Sequence, residues 1–459
     1  MKRKGGHSRA LPILVGIAVV TAIAAATASV AVAPAKSHPQ PGPPPDAVLT
    51  WNTNAVSAVR ASTPTKFQTD GMLYMAYVQA AVYDAVTKID GKYEPYHDFA
   101  FTPAPGASVQ AAVAAAARTV LDNYLPDQQP TVDAEYNAYL ATLSGGVANG
   151  VAVGEAAAND LIAFRAGDGL KAATPAYGQI GPIIPGKWQL QLPTQTAQTP
   201  WLATMRPFLL EGASQFRVGP PPSITSGQYA KDLNETEAYG AVNSTVRTKD
   251  QTDIAYFWNG NNVNQFNVTM QNVVAQHDMD IDDAAHLFGM GMIVTADAGI
   301  GCYDSKFFYE AWRPITAIRN ADIDGNPDTT ADPNWSPLLS TPAHPEYPSQ
   351  HGCFTAAFTT ALAAALGTKH LDVTMPGGQN GSPNLTTTQH FKTVKDIQKQ
   401  EIDARVWIGF HFRNSVKQGE RLGNRVADWE LDRFFQPSKL LGGALAGGPV
   451  PARALASLP

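Results

Sequence analysis

From residue 51 onward, apolar residues recur at three- and four-residue intervals in one segment after another, and two-residue alternation is sparse. That period buries one face of a helix and would put a strand's apolar groups on both faces, so the chain is predicted to be all-α. Helical pattern covers 51–60, 72–89, 109–125, 131–143, 147–165, 229–239, 250–258, 267–277, 281–297, 306–319, 353–366, 391–412 and 416–434. Ser108 is placed to cap the third of these, and the Ala and Gly of 147–165 favour close helix packing. Between 167 and 222 the chain is rich in Pro, Gly, Thr and Gln, a long irregular excursion of the kind that builds a functional wall or a domain connection. The expected architecture is two packed helical bundles with long irregular loops, an N-terminal one over 49–240 and a C-terminal one over 241–435. A flexible tail is expected over 436–459.

At the other end, Lys2, Arg3, Lys4 and Arg9 precede an apolar run over 11–32 and the small-x-small pattern Ala33-Pro34-Ala35. This reads as a signal peptide over 1–35, with an uncleaved anchor as the alternative, followed by a Pro-rich linker over 36–48. The mature chain is therefore expected outside the cytoplasm, secreted or extracytoplasmic, with no later segment apolar enough to span a bilayer. A net charge of −6 argues against a nucleic-acid surface and makes any local cluster of cations informative. Cys302 and Cys353 allow one disulfide, and two buried free thiols are the other reading. The run DIDGNPD has the composition of a calcium loop with its glycine misplaced for an EF-hand.

Three blocks carry chemistry. KFFYEAWRP holds Lys306 and Arg313, seven residues apart, which on one helix would share a face. HPEYPSQHG holds Ser349 and His351. Pro345 and Pro348 enforce an extended approach, Ser349 falls where a helix N-cap would be, and the amides of Gln350 and His351 open a helix N-terminus suited to an oxyanion. ARVWIGFH holds Arg405 and His411, about 120° apart on an ideal helix and so placed to flank a ligand. Singly, each block has a structural reading: a solvated cationic face, an ordinary serine cap, a buried Arg–His pair. Together they describe an oxyanion pocket in the C-terminal bundle.

The order K-x6-RP, PSxH, R-x5-H resembles the vanadium-dependent haloperoxidases and the type-2 phosphatidic acid phosphatase superfamily that contains them. TADAGIGCYDSKFFYEAWRPITAIR, AHPEYPSQHG and AYVQAAVYDAV look like the bacterial exported branch of the haloperoxidases, and the likeness covers most of 51–435. The resemblance implies a vanadate cofactor with Lys306, Arg313 and Arg405 on its oxygens, Ser349 and the Gln350 amide hydrogen-bonded to it, His411 as the metal ligand and His351 as acid-base. It implies hydrogen peroxide, a halide and a small organic acceptor as substrates, and it leaves a homodimer open. His344 matches a position where bromide-oxidising members carry His and chloride-oxidising relatives tend to carry Phe. Tyr303 stands where a chloroperoxidase-like pocket has Trp, so both lean toward bromide or iodide. Two residues depart from the pattern. Gln350 replaces the Gly of PSGH and is expected to crowd the pocket. Ser415 stands four after His411 in place of the Asp that would orient the imidazole, a substitution expected to weaken phosphatase chemistry more than vanadate ligation. Phosphomonoester hydrolysis through a phosphohistidine at His411 is the competing reading, and a non-catalytic oxyanion-binding protein the third.

Overall fold

The helices are those the apolar period predicts, with two informative differences around the site. The computed structural model describes residues 45–377 and 388–438. The expected signal, most of the linker and the tail from 439 onward lie outside them. Within them run α1 (Asp46–Ala61), α2 (Gln68–Asp90), α3 (Val109–Tyr124), α4 (Gln129–Leu140), α5 (Val147–Arg165), α6 (Gly227–Gly240), α7 (Lys249–Phe257), α8 (Asn262–Gln276), α9 (Ile281–Tyr309), α10 (Pro314–Arg319), α11 (Gln350–Leu366), α12 (Val394–Trp407) and α13 (Arg413–Leu431). One antiparallel hairpin, β1 (His370–Pro376) with β2 (Thr388–Thr393), pairs Val373 with Phe391 and breaks the all-helical pattern only locally. Helix α1 already begins at Asp46, inside the segment expected as linker. The start of the expected tail is tied down too: the Glu94 N–H donates to Gln436 O at 2.8 Å.

Helix α9 organises the rest. It carries apolar residues around its whole circumference, with a few buried charged ones among them, and is buried almost throughout, as a helix at the centre of a core is. By length and composition it could cross a membrane, contrary to the expectation from the sequence. Its apolar stretch is nevertheless entirely enclosed by other helices. The segments expected at 281–297 and 306–319 are thus one helix and a fragment of another. Nothing between 298 and 305 interrupts the pattern, whereas Glu310 takes a left-handed conformation (φ 50) and Pro314 forces Arg313 out of the helical region. Lys306 and Arg313 therefore do not share a helix face. Helices α2 and α9, from either side of the expected boundary at 240/241, pack directly on each other.

The Pro/Gly-rich excursion is held against α9 by its carboxylates. Asp297 accepts the backbone N–H groups of Phe208, Leu209 and Leu210 at 2.6, 2.7 and 3.0 Å, and Asp304 takes a two-pronged ion pair from Arg217 at 2.7 Å. A loop without a regular ladder needs such acceptors for its buried amides. Helix α11 is positioned by backbone contact with α13: a Cβ at Gly419 would collide with the Ser349 carbonyl, and one at Gly352 with that of Val416. That approach fixes the N-terminus of α11, where the second site block sits.

Candidate active site

The three blocks meet at the inner end of a cavity of about 540 Å³. Its lining includes His344, Gln350, His351, Arg405 and His411 at the floor, Gln195 and Gln198 from the irregular excursion, and Arg60 and Lys66 from the α1–α2 region. No Asp or Glu is among the lining residues, on a chain of net charge −6. Lys306, Arg313 and Ser349 are completely buried just behind this floor.

Arg313 is the hub. From the extended N-cap position of α10 its Nε donates to the His344 carbonyl at 2.8 Å. One terminal nitrogen donates to Phe410 O at 2.9 Å and to His411 Nε2 at 3.1 Å, and the other reaches His344 Nδ1 at 3.0 Å. Lys306, on the last turns of α9, donates to the carbonyls of Pro345 and Glu346 at 2.9 and 3.1 Å. Burial pulls the Lys306 ammonium down to about 8 and both Arg313 and Arg405 to about 10. Three cations with so little counter-charge are held at a desolvation cost that an anion would offset.

Arg405 ends α12, and His411 lies beyond Gly409 (φ 80) in the turn before α13, so the two are not on one helix as their spacing suggested. The left-handed glycine redirects the chain and points the imidazole at Arg313. His411 Nδ1 lies 2.9 Å from Glu346 Oε1, whose carboxylate also accepts the Phe412 N–H at 3.0 Å. With Nδ1–H donating to the carboxylate, Nε2 is the nitrogen that carries the lone pair. Burial, then Arg313 and Lys306, hold the His411 ring well below the usual histidine range, so it is neutral. Burial raises Glu346 to about 7, with Lys306 and Arg313 pulling it back.

Glu346 corrects the expectation drawn from Ser415. The Ser415 hydroxyl donates to the Glu346 backbone carbonyl at 3.3 Å and does not reach the imidazole. The orienting carboxylate comes instead from the second block, three residues before Ser349. Spacing along the chain could not find it, although a lone acid between Pro345 and Pro348 was the available signal.

Ser349 is the N-cap of α11, yet its hydroxyl makes no cap bond. Ser349 Oγ, His351 Nε2 and Arg405 Nε are all buried without a hydrogen-bond partner. Orphaned polar atoms of this kind, converging on one helix N-terminus, fit an oxyanion that the residues would hold in place. Tyr303 does not line the cavity. It lies one layer back, with its ring 5.6 Å from that of His344 and its hydroxyl on Gln350 Oε1 at 2.9 Å. Cys302 and Cys353 are buried free thiols, not a disulfide.

Residues 286–438 match the model of the VCPO second helical-bundle domain. The chain is 30% identical over 178 residues to the vanadium chloroperoxidase of Curvularia inaequalis, a match covering 31% of this chain and 29% of that relative's length. Its fold is similar to a bacterial vanadium-dependent iodoperoxidase, with a TM-score of 0.74 at 18% identity over 87% of this chain and all of the other. It is also similar to the holo form of a bacterial vanadium-dependent chloroperoxidase, with a TM-score of 0.66 at 19% identity over 82% of this chain and 94% of the other. The VCPO-type domain contains every residue of the three blocks, and the neighbours extend the same fold across the preceding helices.

Proposed function

We propose that this protein is a vanadate-dependent haloperoxidase that oxidises bromide or iodide with hydrogen peroxide and so halogenates small organic acceptors. The observation that carries the reading is the convergence of Lys306, Arg313, Arg405 and the unpartnered Ser349 Oγ on a neutral His411 whose Nε2, now accepting from Arg313, carries the lone pair a metal would take. His411 would hold the metal, the three cations its oxygens, and Ser349 with the Gln350 amide would donate to it. Bound vanadate supplies Lewis acidity that activates peroxide toward a halide without a change in its own oxidation state. Around it, Glu346 fixes the His411 tautomer and orientation. His351, with Nε2 unpartnered at the cavity floor, holds or delivers the proton that the reaction consumes. A neutral His344 clamped by Arg313 gives the wall a polar edge instead of a Phe-like apolar one, which supports bromide or iodide over chloride.

Phosphomonoester hydrolysis is the second reading, and one observation favours it: the carboxylate behind His411 is present after all, as Glu346, so the imidazole is equipped to act as a nucleophile. Parallel assays separate the two. Vanadate-loaded protein is tested for bromide-dependent halogenation with peroxide, and vanadate-free protein for hydrolysis of a chromogenic phosphate ester. Halogenation that depends on vanadate is expected. Phosphatase activity inhibited by vanadate, with no halogenation, would overturn the leading reading.

A further inference from the structure

Gln350 is the first residue of α11 and is 5% exposed, yet it is neither apolar packing nor a helix cap. Its side-chain oxygen is taken twice, by the Tyr303 hydroxyl at 2.9 Å and by the Thr69 hydroxyl at 3.2 Å. Tyr303 and Thr69 are themselves 3.1 Å apart, so α2, α9 and α11 meet at this carbonyl. The other end of the carboxamide is different. Among the described residues its side-chain hydrogen bonds all fall on the oxygen and none on Nε2, and Gln350 forms part of the cavity wall beside His351.

We propose that the Gln350 carboxamide is a halide-binding arm, its oxygen anchored by Tyr303 and Thr69 and its NH2 group presented to the cavity. The inference rests on the haloperoxidase reading and deepens it. An amide whose acceptor end is saturated can offer a ligand only N–H donors. Two hydroxyls donating to its oxygen polarise those N–H groups and strengthen them. A halide asks for donors and provides no hydrogen for an acceptor, so it matches what the side chain has left to give. Peroxide and alcohols would also seek an acceptor here, and the oxygen is occupied. The surroundings agree in sign, because Arg60, Lys66 and Arg405 line the cavity without a carboxylate among them. Gln350 therefore does not merely crowd the pocket; its anchored side chain selects the charge of what enters. Thr69 and Tyr303 are positioning residues, acting through the amide they hold.

The test compares full-length wild type with Gln350→Met, which removes both donors at similar volume, and Gln350→Glu, which keeps the acceptor ends and adds a negative charge. Vanadate is in place throughout, so that the oxyanion cradle is filled, and calorimetric vanadate affinity reports that the site is intact. Bromide binding is read from 81Br line broadening, and the bromide and peroxide KM values are read separately. For Gln350→Met we expect vanadate affinity within a few-fold of wild type, diminished broadening, and a bromide KM raised about tenfold or more, since a donor to an ion is lost. Gln350→Glu should be the worse of the two, with the peroxide KM unmoved in both. Should a Gln350 variant lose vanadate, Tyr303→Phe is read instead and should raise the bromide KM by a smaller factor. Unchanged broadening and bromide KM with vanadate bound, or an effect confined to the KM of peroxide or of the organic acceptor, would overturn the proposal. If vanadate-loaded wild type fails to oxidise bromide, the haloperoxidase reading falls, and the line broadening still decides whether Gln350 binds halide.

Discussion

Glu346 Oε1 and His411 Nδ1 lie 2.9 Å apart in a fully buried pair, although 65 residues separate them in the chain. The acid that orients the key imidazole is thus delivered by the block that also supplies Ser349 and His351. One proline-flanked segment sets both the helix-end cradle and the tautomer of His411.

Replacing Glu346 should therefore act through His411. Glu346→Gln is expected to weaken vanadate binding about 10- to 100-fold, as loss of a partner behind a metal-binding histidine does. Ser415→Ala should cost less than about 1 kcal/mol of stability and weaken vanadate binding less than Glu346→Gln does, because its hydroxyl lies against Glu346 and does not reach the imidazole. Calorimetric titration of orthovanadate checks both, and equal effects of the two substitutions would contradict the assignment.

Arg313 should not tolerate lysine. A lysine cannot reproduce the planar fork that spans His344, Phe410 and His411, and it would leave buried acceptors unpaired. Arg313→Lys is expected to lower unfolding free energy by about 2–4 kcal/mol and to reduce vanadate affinity at least tenfold. Denaturant unfolding alongside the same titration measures the two effects.

Oxyanion binding should take up a proton near neutral to mildly alkaline pH. Burial holds Lys306 down at about 8, and a bound anion favours its charged form, raising that value. Affinity should accordingly fall as pH climbs above about 8. Titrations in buffers of differing ionisation heat should report net proton uptake at that pH, and net release would contradict the electrostatic reading.

Stability should also carry the mark of a buried acid away from the site. Glu430 is completely buried against the Asp297 carboxyl, with no other hydrogen-bonding group on either of its side-chain oxygens. Burial, then the neighbouring Asp297, hold it well above the usual glutamate range. Such a raised acid stabilises fully below its unfolded value of 4.5, and that contribution is lost as pH rises toward the folded one. Glu430→Gln should match wild type near pH 4.5 and exceed it in Tm at pH 8; a lower Tm at both would refute the argument.

Much of this was legible in the chain. Three- and four-residue periodicity placed the helices, and the resemblance gathered Lys306, Arg313, Ser349, Arg405 and His411 before any geometry was available. The first and third blocks are not continuous helices. Glu310 in the left-handed region, Pro314 and Gly409 each turn the chain, and only those turns let Arg313 and His411 meet. Glu346 stayed hidden because its partner lies in another block, and nothing in linear spacing reports a contact across the fold. The anchoring of Gln350 leaves no trace in local spacing either, because Thr69 and Tyr303 belong to α2 and α9.

The central claim is that His411 Nε2 is the contact through which this pocket holds vanadate. Orthovanadate titrated calorimetrically into wild type and into His411→Ala tests it most directly, with circular dichroism to show that both are folded. The account predicts one site per chain in wild type and binding weaker by about 100-fold or more in the variant. Equal affinity in the two proteins, or no binding to wild type, would contradict it.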